Sequence, residues 1–411
     1  MSATKRPPAW LMIGTGMLVV IVVLVFGRLA YGLILPPMRD DLGLSYQQAG
    51  NLGTVCALGY LALVMLAGAA AARWGGRLAV MLGVVLVTVG CVGLSLASNY
   101  WLLLALMTLL GFGTAFAYTP LVSLLAGWFP ERRGAVIGML NSGVGVGMLA
   151  AGALIPYMTE TFSGNGWRLT WGIFAVSGVM AGAAVLAFLR NPPQPQGSGG
   201  QAPAPVNKAA VYRNRRVITV GLVYGIIGIT YIVQAIFMFS FSLDAGISPL
   251  TAGRLAALMG VLSIVSAPLW GGLSDRIGRG NTLLLSMSLT LLGTLVPVLW
   301  PTLFGFAVHY VTLGLTVSGM FTAVLAASTD QVQPREAPLA VSYVTLFYAI
   351  GQLVGPAGAG LLIDWAGGFR STFAISCLIM LGGVYLSWRI RGFRDAALAA
   401  SATASQARPG A

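Results

Sequence analysis

"RNPPQPQGSGGQAPAPVNKAAVYRNRR", residues Arg190 to Arg216, interrupts two long apolar expanses. Pro, Gly, Gln and Ala dominate it, so it reads as a flexible, solvated linker rather than a packed element. Everything on either side is different. Of 411 residues, 57% are hydrophobic and only 8% are charged. A soluble domain carries about 25% charged residues, and so few charges cannot clothe a water-facing surface. Runs of roughly 20 apolar residues recur from end to end, the mark of a polytopic helical membrane protein. Their cores fall at 11–35, 46–71, 78–97, 101–127, 134–157 and 168–189 before the linker. After it they fall at 217–243, 250–272, 281–300, 302–328, 338–364 and 370–390. The expected organisation is a six-helix bundle over 1–190, a linker over 191–215, and a second six-helix bundle with a short tail over 216–411.

The first run does not read as a cleaved signal. Lys5 and Arg6 make a basic start, but the apolar stretch from Leu11 to Leu35 is too long for a signal h-region and no small-residue cleavage site follows. Cys56, Cys91 and Cys377 lie singly in separate apolar runs and give no disulfide or metal spacing. The 55 glycines suit close helix packing in a membrane. The net charge of +13 is distributed as a topology signal rather than as a nucleic-acid surface. With a cytoplasmic N-terminus, the inner segments hold Arg73, Arg77, Arg132, Arg133, Arg276, Arg279, Arg389 and Arg391 among others. The outer loops hold Arg39, Arg168 and Arg370. By the positive-inside rule, both termini and the linker are cytoplasmic.

The halves resemble each other. "GAAAARWGGR" (Gly68–Arg77) follows the second span and "GGLSDRIGRG" (Gly271–Gly280) the eighth. Gly143, Gly147 and Gly152 in the fifth span recur at the same spacing as Gly351, Gly355 and Gly360 in the eleventh. Two repeated six-helix halves joined by a long loop is a transporter architecture, with substrate bound between the halves near the membrane midplane.

On these residues the chain resembles the major facilitator superfamily over essentially its whole length. "GGLSDRIGR" nearly matches that family's loop motif at Gly271, Asp275, Arg276, Gly278 and Arg279. In the first-half copy Ala72 replaces the acidic residue and Gly76 a basic one. "WFPERRGAVIGMLNSGVGVG" (Trp128–Gly147) is similar to the corresponding junction of monocarboxylate and oxalate/formate carriers. "FGRLAYGLILPPMRDDLGLS" and "AIGQLVGPAGAGLLIDWAG" look closer to the bacterial YbfB/YjiJ-type branch. Monocarboxylate-type carriers commonly place an arginine in span eight, four residues before the loop-motif glycine; here that position is Ala267. The resemblance implies an all-α fold of twelve transmembrane helices in two pseudo-symmetric six-helix bundles, in a bacterial inner membrane, working as a monomer by alternating access.

Arg28 lies about two-thirds of the way along the first apolar run. An arginine at the centre of a membrane helix costs about 2.5–3.5 kcal/mol on insertion scales, and no acidic residue sits deep in any span. Two readings stand. Arg28 hydrogen-bonds or snorkels for structural reasons, or it faces a cavity and grips a carboxylate with its forked guanidinium. Candidate partners in substrate binding are Tyr31, Tyr118, Asn141, Tyr224, Tyr231, Gln234, Tyr348 and Gln352, each of which could instead hydrogen-bond between helices. His309, the only histidine, is the candidate proton-coupling group, because an unperturbed imidazole titrates near neutral pH; a packing role is the alternative. Arg73, Arg77, Asp275, Arg276 and Arg279 are the candidate gate, or topology determinants alone.

Phosphate-binding loops, metal clusters and nucleophile triads are missing, so the reading is a carrier and not an enzyme, with no cofactor and no nucleic-acid partner. The expected function is secondary active transport of a small organic anion, a carboxylate, with protons as the candidate coupling ion. The alternative is efflux of neutral or amphipathic compounds, drugs or sugars among them.

Overall fold

The computed structural model describes residues 8–162, 164–192, 211–332 and 336–406. The centre of the predicted linker, around Gly197, lies outside them. Twelve long helices run through the described residues. The first, α1, is composite: an α-helical segment Ala9–Val20, a π-helical segment Ile21–Leu29 and a second α-helical segment Tyr31–Leu42. The first half continues with α2 (Tyr46–Trp74), α3 (Gly76–Leu96), α4 (Tyr100–Trp128), α5 (Arg133–Thr161) and α6 (Gly166–Phe188). The second half comprises α7 (Arg215–Asp244), α8 (Pro249–Ile277), α9 (Arg279–Leu299), α10 (Leu303–Thr329), α11 (Ala337–Trp365) and α12 (Phe369–Gln406). All twelve contain a stretch long and apolar enough to cross a membrane, and no strand occurs among the described residues.

The predicted spans fall on these helices, with two differences. Helix α1 does not stop at residue 35 but runs through Pro36 and Pro37 to Leu42. Two prolines remove two backbone donors. Burial of Leu33, Ile34, Leu35 and Met38 offsets that loss, and Gly32 lets the segment lie directly on α7. A Cβ on Gly32 would sit 2.1 Å from the Ala235 carbonyl oxygen. Helix α12 likewise continues past residue 390 to Gln406.

The repeat seen in the sequence is repeated in the backbone. Helices α2 and α8 both have 29 residues and α3 and α9 both have 21. Ser45 caps α2 by accepting from the Gln48 N–H, and Ser248 caps α8 by accepting from the Thr251 N–H. At the other ends of these helices, Gly75 has φ 90° and Gly278 has φ 84°. This region is closed to most side chains, which accounts for a glycine at that point in both copies of the loop motif.

Two belts of exposed tryptophan mark the membrane boundaries, where an apolar ring with one polar edge is most stable. Trp10, Trp74 and Trp388 lie at the face where Asn191 and Asn214 flank the linker; Trp101, Trp300 and Trp365 lie at the opposite, distal face.

The halves meet through small residues. Gly145 of α5 packs on Gly260 of α8, and Gly152 on Gly253 and Ala257. Gly50 of α2 packs on the Pro356 carbonyl of α11, and Gly360 of α11 on the Tyr46 carbonyl of α2. Hydrogen bonds join the same helices. Thr54 donates to the Leu353 carbonyl at 3.0 Å and accepts from the Ala357 N–H at 3.2 Å. Asp364 accepts from the N–H groups of Tyr46 and Gln47. All of these crossings lie from the middle of the helices to the distal face, which is therefore closed. Toward the linker face, Gly68 of α2, Gly138 of α5 and Gly271 and Gly272 of α8 have no atom within 4 Å of a built Cβ.

Candidate functional site

Arg28 occupies the last turn of the π-helical segment. Such widened turns are rare and gather at functional positions. From there the half-buried guanidinium crosses to the other half: Nη2 donates to Gln352 Oε1 of α11 at 2.7 Å. Its carbon lies 5.5 Å from the centre of the Tyr60 ring of α2, in reach of a cation–π contact. The ion pairs formed among the described residues are Arg39–Asp40, Arg168–Asp41 and Arg279–Asp330. Arg28 is in none of them.

Tyrosines surround this charge. Tyr224 of α7 stacks on Tyr348 of α11, with ring centres 4.6 Å apart. Phe321 of α10 presents its ring edgewise to Tyr224, Tyr231 and Tyr348 at 6.0, 5.3 and 5.4 Å. Tyr348 and Tyr231 lie within electrostatic range of Arg28, and Tyr60, Tyr118 and Tyr224 within range of one another. Tyr118 donates to Asn141 Oδ1 at 3.0 Å, joining α4 to an exposed position of α5. Of the sequence candidates, Arg28, Tyr224, Tyr231, Tyr348 and Gln352 thus come together between the halves. Tyr118 and Asn141 stand on the first-half wall toward the linker face. Tyr31 is buried, and its hydroxyl donates to the Ala49 carbonyl of α2 at 2.9 Å.

A pocket adjoins at Tyr231. It lies between α1, α5, α7, α8 and α10, lined by Tyr231, Gln234, Met148, Met238, Met259 and His309 among other, mostly apolar, residues. Gln234 is engaged: its Oε1 accepts from Thr294 at 3.3 Å, and its amide nitrogen contacts Met380 Sδ at 3.8 Å. His309 is 1% exposed and neither ring nitrogen makes a hydrogen bond among the described residues. The Gly293 carbonyl of α9 is nearby but outside hydrogen-bond geometry.

The candidate gate residues lie at the linker face. Asp275, Arg276 and Arg73 are exposed. Arg279 is held within its own half by Asp330 and by the Ala326 carbonyl. Arg77 is held likewise, its side chain on the Leu186 carbonyl and its backbone N–H on Asn191 Oδ1 at 2.8 Å.

Tyr60 and Phe321 escaped the sequence reading. A polar ring in the middle of the second apolar run was the available signal for Tyr60. Phe321 carried none, because a phenylalanine in a membrane span is ordinary lipid- or core-facing material until its neighbours are known.

The comparisons with known proteins agree with this architecture. A family model described as "Uncharacterised MFS-type transporter YbfB" matches residues 20–387. Human monocarboxylate transporter 11 is 25% identical over 391 residues, covering 91% of this chain and 82% of that protein. The fujikurins efflux protein of Gibberella fujikuroi is 27% identical over 314 residues, covering 75% and 66%. Among solved structures, a bacterial homologue of the human lysosomal transporter Spinster superposes with a TM-score of 0.74 at 19% identity, over 95% of this chain and 98% of that one. With its twelve spans in two repeated halves and a family match over most of its length, the chain belongs to the YbfB-type family of major facilitator superfamily transporters.

Proposed function

We propose that this transporter carries a small organic anion, a carboxylate, by secondary active transport across a bacterial inner membrane. The observation that carries the reading is Arg28: a membrane-embedded guanidinium between the halves that, among the described residues, forms no ion pair with a protein carboxylate. Leaving a cation without a counter-charge in a membrane is costly. A counter-charge that arrives and leaves with the cargo resolves that cost. Gln352 uses one of the five guanidinium N–H groups. It fixes the orientation of the fork and leaves donors free for a two-pronged carboxylate contact. Tyr60, Tyr224 and Tyr348 supply polar edges around the same point. The resemblance to a monocarboxylate transporter favours the same class of cargo.

In this reading the halves 1–190 and 216–411 move as units about the cargo, with both termini and the intervening linker cytoplasmic. The structure then corresponds to the state open toward the cytoplasm. Asp275, Arg276, Arg279, Arg73 and Arg77 form the contacts of the opposite state, in which the linker face closes.

Efflux of amphipathic neutral compounds is the second reading. The methionine-lined pocket favours it, as does the resemblance to an efflux protein. The deciding experiment is uptake of labelled carboxylates and of neutral analogues into proteoliposomes. Carboxylate transport that fails in Arg28→Gln supports the first reading. Transport of neutral compounds alone, indifferent to Arg28→Gln, replaces it with the second.

A further inference from the structure

His309 poses a chemical question that its own helix does not answer. A neutral imidazole offers one N–H donor and one lone pair, and here both are buried with no hydrogen-bond partner among the described residues, the Gly293 carbonyl being near but not bonded. More than nine in ten buried polar groups in native proteins find a hydrogen bond, so an orphaned pair lining a pocket calls for a ligand. No charged side chain lines this pocket, and two of its polar side chains are already engaged. Gln234 is held by Thr294, and Ser263 donates to the Gly260 carbonyl at 2.8 Å. With no counter-charge in the pocket, the group best suited to His309 is uncharged and itself able to donate or accept, a hydroxyl or a carbonyl. Met148, Met238 and Met259 come from three different helices and form flexible, polarisable walls, suited to a flat or branched apolar body. Tyr231 lines this pocket and shares Phe321 with Tyr224 and Tyr348 of the Arg28 surroundings, so it stands between the two.

We propose that His309 recognises a neutral hydroxyl or carbonyl at the far end of the cargo, whose apolar body lies against Met148, Met238 and Met259 while its carboxylate reaches Arg28. The cargo class is then an aryl or branched-chain carboxylate bearing a distal hydroxyl or oxo group. This rests on the carboxylate reading above and adds a second point of recognition to it.

The test measures binding to the purified full chain with three probes: phenylacetate, 4-hydroxyphenylacetate and 4-hydroxyphenylethanol. Wild type is expected to bind 4-hydroxyphenylacetate at least ten-fold more tightly than phenylacetate. In His309→Leu that preference falls below two-fold. Should His309→Leu fail to fold, His309→Phe, which keeps a ring against Tyr310, answers the same question. Equal binding of the two carboxylates by wild type overturns the His309 proposal alone, as does a preference that survives the substitution. Binding of 4-hydroxyphenylethanol but of neither carboxylate overturns the carboxylate reading instead. No binding of any probe overturns both.

Discussion

Asp364, in the last turn of α11, caps the first turn of α2 in the other half: its carboxylate accepts from the N–H of Gln47 at 2.8 Å and from that of Tyr46 at 3.2 Å. The amino end of a helix carries free donors and partial positive charge, so a carboxylate there is doubly favoured. Because donor and acceptor belong to different halves, the contact exists only while the distal face is closed. Arg39 stacks on Tyr46 with its guanidinium carbon 4.1 Å from the ring centre and covers the same corner.

Replacing Asp364 with alanine is expected to release this corner. The contact is exposed, and a carboxylate at an exposed helix amino end contributes about 0.3–1 kcal/mol. That corresponds to at most about a five-fold shift toward distal-open molecules. Distances between spin labels placed at the distal ends of the two halves would report it. An unchanged distance distribution would show that the glycine crossings and the Thr54 hydrogen bonds hold the face shut without Asp364.

Most of the fold was legible before any coordinates, because membrane spans are written in consecutive apolar residues. Helix α2 was expected over 46–71 and runs Tyr46–Trp74; α7 was expected over 217–243 and runs Arg215–Asp244. Helix α1 outruns the apolar core 11–35 through Pro36 and Pro37, residues that by themselves favour a helix end. The close approach of Gly32 to α7 that sustains the helix is a long-range fact. The site was legible in kind but not in arrangement. Arg28 announced itself by the cost of placing it in a membrane. That it hydrogen-bonds Gln352, 324 residues away, is a long-range pairing, and the π-helical widening of Ile21–Leu29 that carries it leaves no mark in the periodicity of the sequence. Phe321, which touches three tyrosines, is visible only once the helices are assembled.

Glycines at the crossings should govern conformation rather than folding. A Cβ on Gly50 would lie 2.1 Å from the Pro356 carbonyl oxygen, a backbone atom that cannot swing aside. Gly50→Val should therefore push α2 from α11 and deplete the distal-closed state, with the melting temperature little changed because each half remains intact. Gly83→Val is the control. Its Cβ would lie 2.3 Å from the Ala117 nitrogen, inside the first half, so it should lower thermal stability without redistributing states. Equal melting losses for both variants would contradict this division.

Asp275 is exposed here and Arg279 is tied to Asp330 in its own half. Asp275→Asn thus removes nothing from the present state, and weakens contacts made when the linker face closes. A rim ion pair is worth about 0–1 kcal/mol, so the expected shift toward linker-open molecules is at most about five-fold. Asp330→Asn should leave the populations where they are, since its contact lies within one half. Accessibility of a cysteine at Asn141 to a water-soluble maleimide reads the open fraction directly. A larger change in Asp330→Asn than in Asp275→Asn would reverse the assignment of the latch.

The Arg28–Gln352 pair supplies the sharpest test of how cargo is held. If the guanidinium binds a carboxylate, Arg28→Gln should weaken binding by roughly 2–5 kcal/mol, about 30-fold to several thousand-fold. The folded protein should persist, because Gln is uncharged and its burial costs less than that of Arg. Arg28→Lys keeps the charge but loses the planar fork, so the two-pronged contact with the carboxylate is lost; its affinity should fall between wild type and Arg28→Gln. Gln352→Leu leaves the fork intact but free to turn. Losing a hydrogen bond to a charged group costs about 1.5–3 kcal/mol where it is buried, and here that cost appears as misorientation, so binding should drop by about ten-fold or more while selectivity for anions is kept. A purely structural arginine predicts the opposite order. Arg28→Gln and Gln352→Leu would both lower the melting temperature, and whatever folded would bind carboxylates with wild-type affinity.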